Sequence, residues 1–280
     1  MKKELIEGYF SGERALYNAK DLVIRDSVFA DGESPLKESA GIEVYGSIFK
    51  WKYPLWYSKD AAVCDSTLLT TARSGIWYTD NITLRNCTVD APKTFRRCKG
   101  VRVIGCTLPF ALETLWNCEN VYIENTSAAG DYFAMGSKNI TAKGFSISGN
   151  YAFDGASDIE ISDSRLISKD AFWNCENVTV RNSVIIGEYL GWNSKNVRFI
   201  DCTIESNQGL CYMKGVTLKN CKLINTDLAF ELSDADADVK TKIVSVKNPT
   251  SGRIKAKAIG ELIMDREMID PEKTEIITEE

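Results

Sequence analysis

The sequence of 280 residues contains no histidine. This absence excludes every site in which a histidine activates a serine or cysteine nucleophile, and it removes the commonest neutral metal ligand. The sequence also has no apolar run that could span a bilayer, and residues 1–10 lack the apolar core of a signal peptide. We therefore expect a cytoplasmic protein that does not interact with membranes.

The sequence also lacks an excess of positive charge, since it has 34 lysines and arginines against 39 acidic residues and a net charge of −5. Such a chain offers no broad electrostatic surface for a phosphate backbone, so nucleic acid is not an expected partner. The nine cysteines are odd in number and form no Cys-x-x-Cys pair, which argues against a disulfide framework or a zinc site. No metal and no cofactor is expected.

What the sequence does contain is a repeat of 19 to 21 residues, clearest where residues 193–211 restate residues 174–192. Each copy has an apolar anchor and a second apolar residue two positions later, and this alternation predicts a strand with one buried face. The anchors are Leu22, Ile42, Ala61, Ile82, Val101, Val121, Ile140, Ile159, Val178, Val197 and Val216.

Two corners recur with the repeat, because the residue before each anchor and the residue four positions after it are always Asp, Asn or Gly. These residues tolerate a left-handed backbone, so the chain turns there. A short apolar stretch after the second corner and another about six residues before the anchor predict two further strands per repeat. Strands this short bury a face only by stacking on the next repeat.

The predicted fold is therefore all-β, a single-stranded right-handed parallel β-helix of about eleven rungs of 19–21 residues over residues 1–232. The strict hexapeptide period of left-handed β-helices is absent. Residues 233–280 are predicted to form capping strands and an acidic tail. Cysteines such as Cys87, Cys106, Cys202 and Cys221 share one inward column, which predicts that they are stacked core residues and not ligands.

One face of the predicted helix differs from an ordinary solvated surface. Five of the six tryptophans stand five residues before an anchor and share one outward column: Trp56, Trp77, Trp116, Trp173 and Trp192. The same and adjoining columns supply the other residues that we predict to bind a ligand: Tyr132, Tyr151, Tyr189, Arg73, Lys93, Arg96, Glu113 and Asp131. Exposed aromatics interleaved with charges are typical of sugar-binding surfaces and of protein interfaces.

The same face carries the candidate catalytic residues. Asp154, Asp170 and Glu188 fall on neighbouring turns beside the last two tryptophans, and Lys169 is placed to keep one of them ionised. Like charges beside aromatic surface raise the pKa of a carboxyl group, as a general acid requires. In the alternative interpretation, lysine and arginine simply neutralise these acids in a surface ladder.

Several runs of the sequence, among them GERALY, FKWKYPLWYS, KDAFWNCENV and GEYLGWNSKN, resemble an uncharacterised, mainly bacterial family known as domain-of-unknown-function family 3737. The resemblance spans nearly the whole chain and implies the fold of the pectate-lyase-like right-handed β-helix superfamily. It implies no activity, because none is assigned to the family. Polygalacturonase-like chemistry is not expected, since the histidine of that pattern is lacking.

Two functions remain open on the sequence. In the first, a β-helix scaffold binds or processes carbohydrate, or another small polar ligand, on its aromatic and charged face. In the alternative, the protein is structural or assembles, and the tryptophan stripe is buried by its own C-terminal segment or by a homo-oligomer contact.

Overall fold

The computed structural model describes residues 2–279 and shows an all-β protein. Within these residues there is no α-helix, and the two 3₁₀ helices are single turns at Thr70–Ala72 and Pro271–Lys273. No helix in this range is long and apolar enough to cross a membrane. The chain forms two compact units, a first unit that ends at Thr141 and a second unit that begins at Ala142.

The strands of the first unit are β1 (Lys3–Ile6), β2 (Tyr9–Phe10), β3 (Leu22–Arg25), β4 (Val28–Phe29), β5 (Ala40–Tyr45), β6 (Ile48–Phe49), β7 (Lys59–Cys64), β8 (Thr67–Leu68), β9 (Ile76–Trp77), β10 (Asp80–Arg85), β11 (Thr88–Val89), β12 (Phe95–Arg96), β13 (Lys99–Ile104), β14 (Thr107–Leu108), β15 (Glu119–Glu124) and β16 (Ser127–Ala129). Strand β17 (Lys138–Lys143) contains the boundary between the units. The strands of the second unit are β18 (Ser146–Ser148), β19 (Ser157–Ser162), β20 (Arg165–Ile167), β21 (Glu176–Arg181), β22 (Val184–Ile186), β23 (Lys195–Ile200), β24 (Thr203–Asn207), β25 (Lys214–Asp227), β26 (Asp234–Val239), β27 (Lys242–Lys247), β28 (Ser251–Ala256), β29 (Ala258–Ile263) and β30 (Thr274–Thr278).

Parallel strands of successive turns build two sheets in the first unit. In the first sheet β1, β3, β5, β7, β10, β13 and β15 pair in that order. In the second sheet β2, β4, β6, β8, β11, β14 and β16 do the same. The corner between the sheets is left-handed, with φ of 51° at Asp65 and 52° at Asn86. This is the right-handed parallel β-helix that the repeat predicts.

The second unit repeats the arrangement. Its first sheet runs through β19, β21, β23, β25, β26, β28 and β30, and its second sheet through β18, β20, β22, β24 and the later half of β25. The anchors Val178, Val197 and Val216 pair in register and are buried. The core is therefore a stack of identical inward positions, one from each turn.

The predicted number of eleven turns is too low. Within residues 2–279 the first sheet has seven strands in the first unit, then β17, then seven in the second unit, or about fifteen turns. One missed turn, β1, precedes the first predicted anchor, and β26, β28 and β30 follow the last. The anchors of these three later turns are Ala235, Gly252 and Thr274, and their spacing changes from 17 to 22 residues, so the repeat is hard to see in the sequence.

The acidic run from Asp234 to Asp238 is itself part of strand β26. Ala235 and Ala237 point inward and are buried, while the acidic residues alternate with them. The run therefore continues the first sheet, where the sequence suggested the start of a capping segment. The domain boundary predicted at residue 232 stays a prediction.

The third strand predicted in every turn is present only in part. Strands β9 and β12 pair with each other, and Arg96 forms an isolated bridge with Trp116. In the second unit the corresponding stretch is a turn, because Phe153 and Phe172 are left-handed with φ of 68° and 58°. No strand is assigned to this stretch between β18 and β19 or between β20 and β21.

The prediction for the cysteines is confirmed. None of the nine is bonded to another, and eight are buried, among them Cys87, Cys106, Cys202 and Cys221. Burial raises the pKa of the Cys211 thiol to about 12, so this group stays protonated at neutral pH. The eight buried cysteines are small apolar residues of the core.

Candidate ligand-binding face

The tryptophan column of the first unit is a stack of rings. The Trp56 and Trp77 indoles lie 5.1 Å apart, centroid to centroid, and are inclined by 8°. The next turn places the Arg96 guanidinium 4.6 Å from the Trp77 ring and 4.5 Å from the Trp116 ring. A planar cation between two indoles is held by cation–π attraction on both of its faces.

All five tryptophans of the column also make the same hydrogen bond. Each indole N–H donates to a backbone carbonyl 16 to 18 residues later, that is, in the following turn. The accepting carbonyls belong to Ser74, Lys93, Tyr132, Tyr189 and Gln208. All five acceptors have a left-handed backbone, with φ between 45° and 58°. The tryptophans thus satisfy a corner carbonyl of the fold, a role that a buried indole N–H commonly takes.

Arg96 lies in the tryptophan column between Trp77 and Trp116, and it makes a different contact. Its guanidinium lies 3.2 Å from the Glu113 carboxylate, which also accepts Lys93 at 3.1 Å. Its Nε atom is buried and, in the part of the chain that the structure describes, is the one such side-chain atom without a hydrogen-bond partner. Lys93, Arg96 and Glu113, which were predicted only as separate members of the ligand-binding face, therefore form one ion-pair cluster.

A second row of side chains, which was not predicted from the sequence, lies one residue further along each turn. Tyr57 and Tyr78 stack 4.8 Å apart with an inclination of 4°. Lys37 Nζ lies 5.7 Å from the Tyr57 ring, and the Arg97 guanidinium lies 6.0 Å from the Tyr78 ring. Lys37 belongs to the tryptophan column of the preceding turn, where the residue of this second row is Glu38, and Lys37 pairs with Glu38 at 3.9 Å. We call Lys37, Tyr57, Tyr78 and Arg97 the outer ladder. Tyr57 is half exposed and Arg97 is exposed, so the ladder faces solvent.

The second unit has a smaller aromatic cluster. Trp173 and Trp192 stack at 5.8 Å with an inclination of 9°. Tyr151 meets the Trp173 ring edge-on at 5.8 Å, and Tyr189 and Tyr212 approach the Trp192 ring at 5.2 Å and 5.0 Å. As in the first unit, the faces of the indoles are covered by neighbouring side chains.

The acidic residues of the second unit do not share one environment. Glu188 is exposed and pairs with Lys169 at 3.4 Å. Asp154 accepts a hydrogen bond of 3.0 Å from Asn174. Asp170 is buried, with 2% of the residue exposed and φ of 56°. The three carboxylates lie on adjacent turns, but only two of them face solvent.

Burial raises the pKa of the Asp170 carboxyl above its ordinary value. The charge of Lys169 and a hydrogen bond with Tyr151 act in the opposite direction, while the negative charges of Glu188 and Asp154 add to the rise. The hydrogen bond with Glu188 raises the pKa of Lys169. Asp170 thus has the raised pKa expected of a general acid, although it lies beneath the surface.

The remaining predicted residues flank the tryptophan column. Arg73 is exposed, and its backbone carbonyl accepts the Tyr53 N–H. Tyr132 is 36% exposed while its carbonyl accepts the Trp116 indole, and Asp131 is half-buried. Within residues 2–279 no three acidic or cysteine side chains come together as a metal site would need.

The family model described as a protein of unknown function, DUF3737, matches residues 3–277. The chain belongs to this family. It matches none of the curated proteins with which it was compared.

Solved structures that the chain resembles share its fold at low sequence identity. The surface adhesin PfbA of Streptococcus pneumoniae is 9% identical, with a TM-score of 0.55 over 85% of this chain and 84% of that one. An exopolygalacturonase from Thermotoga maritima is 8% identical, with a TM-score of 0.43 over 94% of this chain and 84% of that one. Likeness at this level concerns the β-helix and does not extend to a site.

Proposed function

We propose that this DUF3737 protein is a carbohydrate-binding β-helix whose ligand lies along the aromatic and charged face of the first unit. The observation that carries the proposal is the outer ladder. It holds two tyrosines in parallel at a spacing of 4.8 Å, next to the stacked indoles and between two cations. Solvent reaches this ladder, since Tyr57 is half exposed.

The stacking decides how a sugar would bind. The faces of Trp56, Trp77, Tyr57 and Tyr78 are occupied by one another and by cations, so pyranose rings cannot insert between them. A sugar chain instead lies across the ring edges. There the tyrosine hydroxyls and the Arg97 guanidinium hydrogen-bond to its hydroxyl groups, and the ring carbons cover its apolar edge. Because the side chains of the ladder are already stacked, they lose little conformational entropy when a sugar chain binds.

Titration of tryptophan fluorescence with neutral and charged oligosaccharides tests the proposal, because the indoles of the first unit lie beside the ladder. We expect saturable binding that Tyr57→Ala/Tyr78→Ala weakens at least tenfold. The matched control is Tyr122→Ala, which removes a tyrosine that also carries an arginine, Arg102, on its ring at 4.4 Å but lies on the first sheet. If both variants bind like the unaltered protein, or if no oligosaccharide binds, the proposal is wrong.

A second candidate function is self-association, because the first unit exposes apolar side chains at its first turn. Ile6 and Tyr9 are 59% and 69% exposed, and the pairing partner of β1 within residues 2–279 is β3. A strand with one open edge can add a strand from another chain. Light scattering after size exclusion tests this: a dimer that Ile6→Lys dissociates supports it, and a strict monomer contradicts it.

A further inference from the structure

The aromatic face of the first unit concentrates positive charge in a chain that is acidic overall. The three successive segments 52–57, 73–78 and 92–97 carry five cationic side chains and no carboxylate, whereas the net charge of the chain is −5. The five are Lys52, Arg73, Lys93, Arg96 and Arg97. A local excess of one sign on a rigid surface attracts ligands of the other sign.

Acidic residues of the flanking turns neutralise only part of this charge. Lys52 pairs with Glu33 at 2.6 Å, and Lys93 and Arg96 share Glu113. Lys37 of the outer ladder pairs with Glu38 at 3.9 Å. No ion pair within residues 2–279 engages Arg73 or Arg97, and both are exposed. Two guanidinium groups are therefore available. Their planar donors bind carboxylate or sulfate groups through two parallel hydrogen bonds.

We propose that this face binds an extended anionic oligosaccharide, with a carboxylate or sulfate group on its successive sugars. The inference rests on the proposed function and names the substrate class of the same site. Lys37 and Arg97 stand three turns apart, or about 14 Å at a strand spacing of about 4.8 Å. A single sugar cannot reach both cations. An oligomer that follows the outer ladder contacts the tyrosine hydroxyls between them and places its charged groups near Arg73 and Arg97.

A nucleic acid is also an extended polyanion, but the geometry favours a saccharide. Proteins that bind single strands stack bases on open aromatic faces. Here the Tyr57 and Tyr78 faces meet each other, and their outer sides face Lys37 and Arg97. The parts of the ladder that remain accessible are ring edges, tyrosine hydroxyls and guanidinium groups. These can hydrogen-bond to the hydroxyl and acidic groups of a sugar chain.

Calorimetry on the full chain with three probes tests the proposal. The probes are an oligouronate of four sugars, a neutral gluco-oligosaccharide of four sugars, and a single-stranded oligonucleotide of equal charge. We expect the oligouronate to bind at least tenfold more tightly than the other two. Arg73→Gln/Arg97→Gln should weaken its binding at least tenfold, while Arg181→Gln/Arg198→Gln, which changes two exposed arginines on the first sheet of the second unit, leaves it unchanged. Circular dichroism shows that both variants are folded.

Each other outcome overturns a distinct statement. Equal binding of the neutral and acidic oligosaccharides, unaffected by Arg73→Gln/Arg97→Gln, overturns the anionic class but leaves carbohydrate binding in place. No binding of either saccharide overturns both proposals. Binding of the oligonucleotide as tightly as the oligouronate overturns the saccharide assignment in favour of a general polyanion surface.

Discussion

The two units use the same stretch of the repeat in opposite ways. In the first unit segments 52–57, 73–78 and 92–97 hold five cations and no acid, whereas segments 150–155, 169–174 and 188–193 of the second unit hold three acids and one lysine. In the first unit the stretch includes paired strands, with rings 5.1 Å apart. In the second it is a turn, with indoles 5.8 Å apart.

What the units share is the hydrogen bond from each indole N–H to a corner carbonyl. This hydrogen bond recurs in both units although the surrounding stretch differs in charge and in backbone conformation. We therefore interpret it as a contact that stabilises the fold. The side chains around it differ between the units. We therefore expect Trp77 and Trp173 to act mainly on stability, and we propose that binding depends on side chains such as Arg73 and Arg97.

The largest expected effect comes from the core that both units share. Val180 is fully buried and pairs with Phe199 in the next turn. Val180→Asp should lower the free energy of unfolding by roughly 4 kcal/mol, since an unpaired charge would enter an apolar column. Denaturant unfolding measures it. Thr179→Asp is the control on the outward face of the same strand, and an equal loss in both variants would contradict the inward and outward assignment.

A smaller effect tests the shared hydrogen bond. Trp77→Phe in the first unit and Trp173→Phe in the second should each cost about 1–2 kcal/mol, because a corner carbonyl loses its donor. Trp51→Phe, at an exposed tryptophan outside the column, should change stability by less than about 0.5 kcal/mol. If all three variants unfold alike, the indole bonds do not stabilise the fold and the tryptophans regain a direct role in binding.

Arg96 is one difference between the two units, since its guanidinium lies between two indoles in the stack of the first unit. Arg96→Lys should cost about 1 kcal/mol, because an ammonium cannot stack on the Trp77 and Trp116 rings at once. The neighbouring exposed residue supplies the control, Arg97→Lys, which should leave thermal stability nearly unchanged. Equal melting temperatures for both variants would show that the sandwich contributes nothing.

Much of the fold could be predicted because β-helix turns repeat their backbone. Apolar anchors and left-handed Asp, Asn and Gly fix two strands and two corners per turn, and these predictions are confirmed. The final turns were missed because Gly252 and Thr274 replace an aliphatic anchor. Gly252 is required there by its φ of 106°, and an added Cβ would lie 2.2 Å from the Ala235 carbonyl oxygen. The spacing of apolar residues gives no sign of such a backbone requirement for glycine.

The face was predicted less completely, because a column in the sequence shows neither ring orientation nor depth. The tryptophan column was placed correctly, but nothing in it shows that Trp56 and Trp77 cover each other's faces. Tyr57 and Tyr78 were not predicted as part of the face. Each directly follows a tryptophan in successive turns, so a comparison of adjacent aromatic columns in the sequence would identify them. Asp170 was expected beside the indoles at the surface, yet it is buried and its backbone is left-handed.

The smallest effect concerns this buried acid, which has no counterpart in the cationic face. Because burial raises its pKa, the folded protein binds the Asp170 proton more tightly than the unfolded chain does. The contribution of this group to stability is therefore present below the ordinary carboxyl pKa and lost as the pH rises through the raised value. Asn also tolerates the φ of 56° at this position. Asp170→Asn should therefore remove the loss of stability that ionisation of this carboxyl causes at higher pH.

We therefore expect Asp170→Asn to be slightly more stable than the unaltered protein at pH 7 and no more stable at pH 3, by denaturant unfolding at both pH values. Glu188→Gln, at an exposed acid paired with Lys169, should show no such difference. If the protein acts on a carbohydrate, Asp170→Asn should also abolish that activity, as the predicted general acid requires. Unfolding of this variant at pH 7 would contradict both expectations, because the carboxylate would then be needed in its charged form to hold the Tyr151 and Lys169 side chains in place.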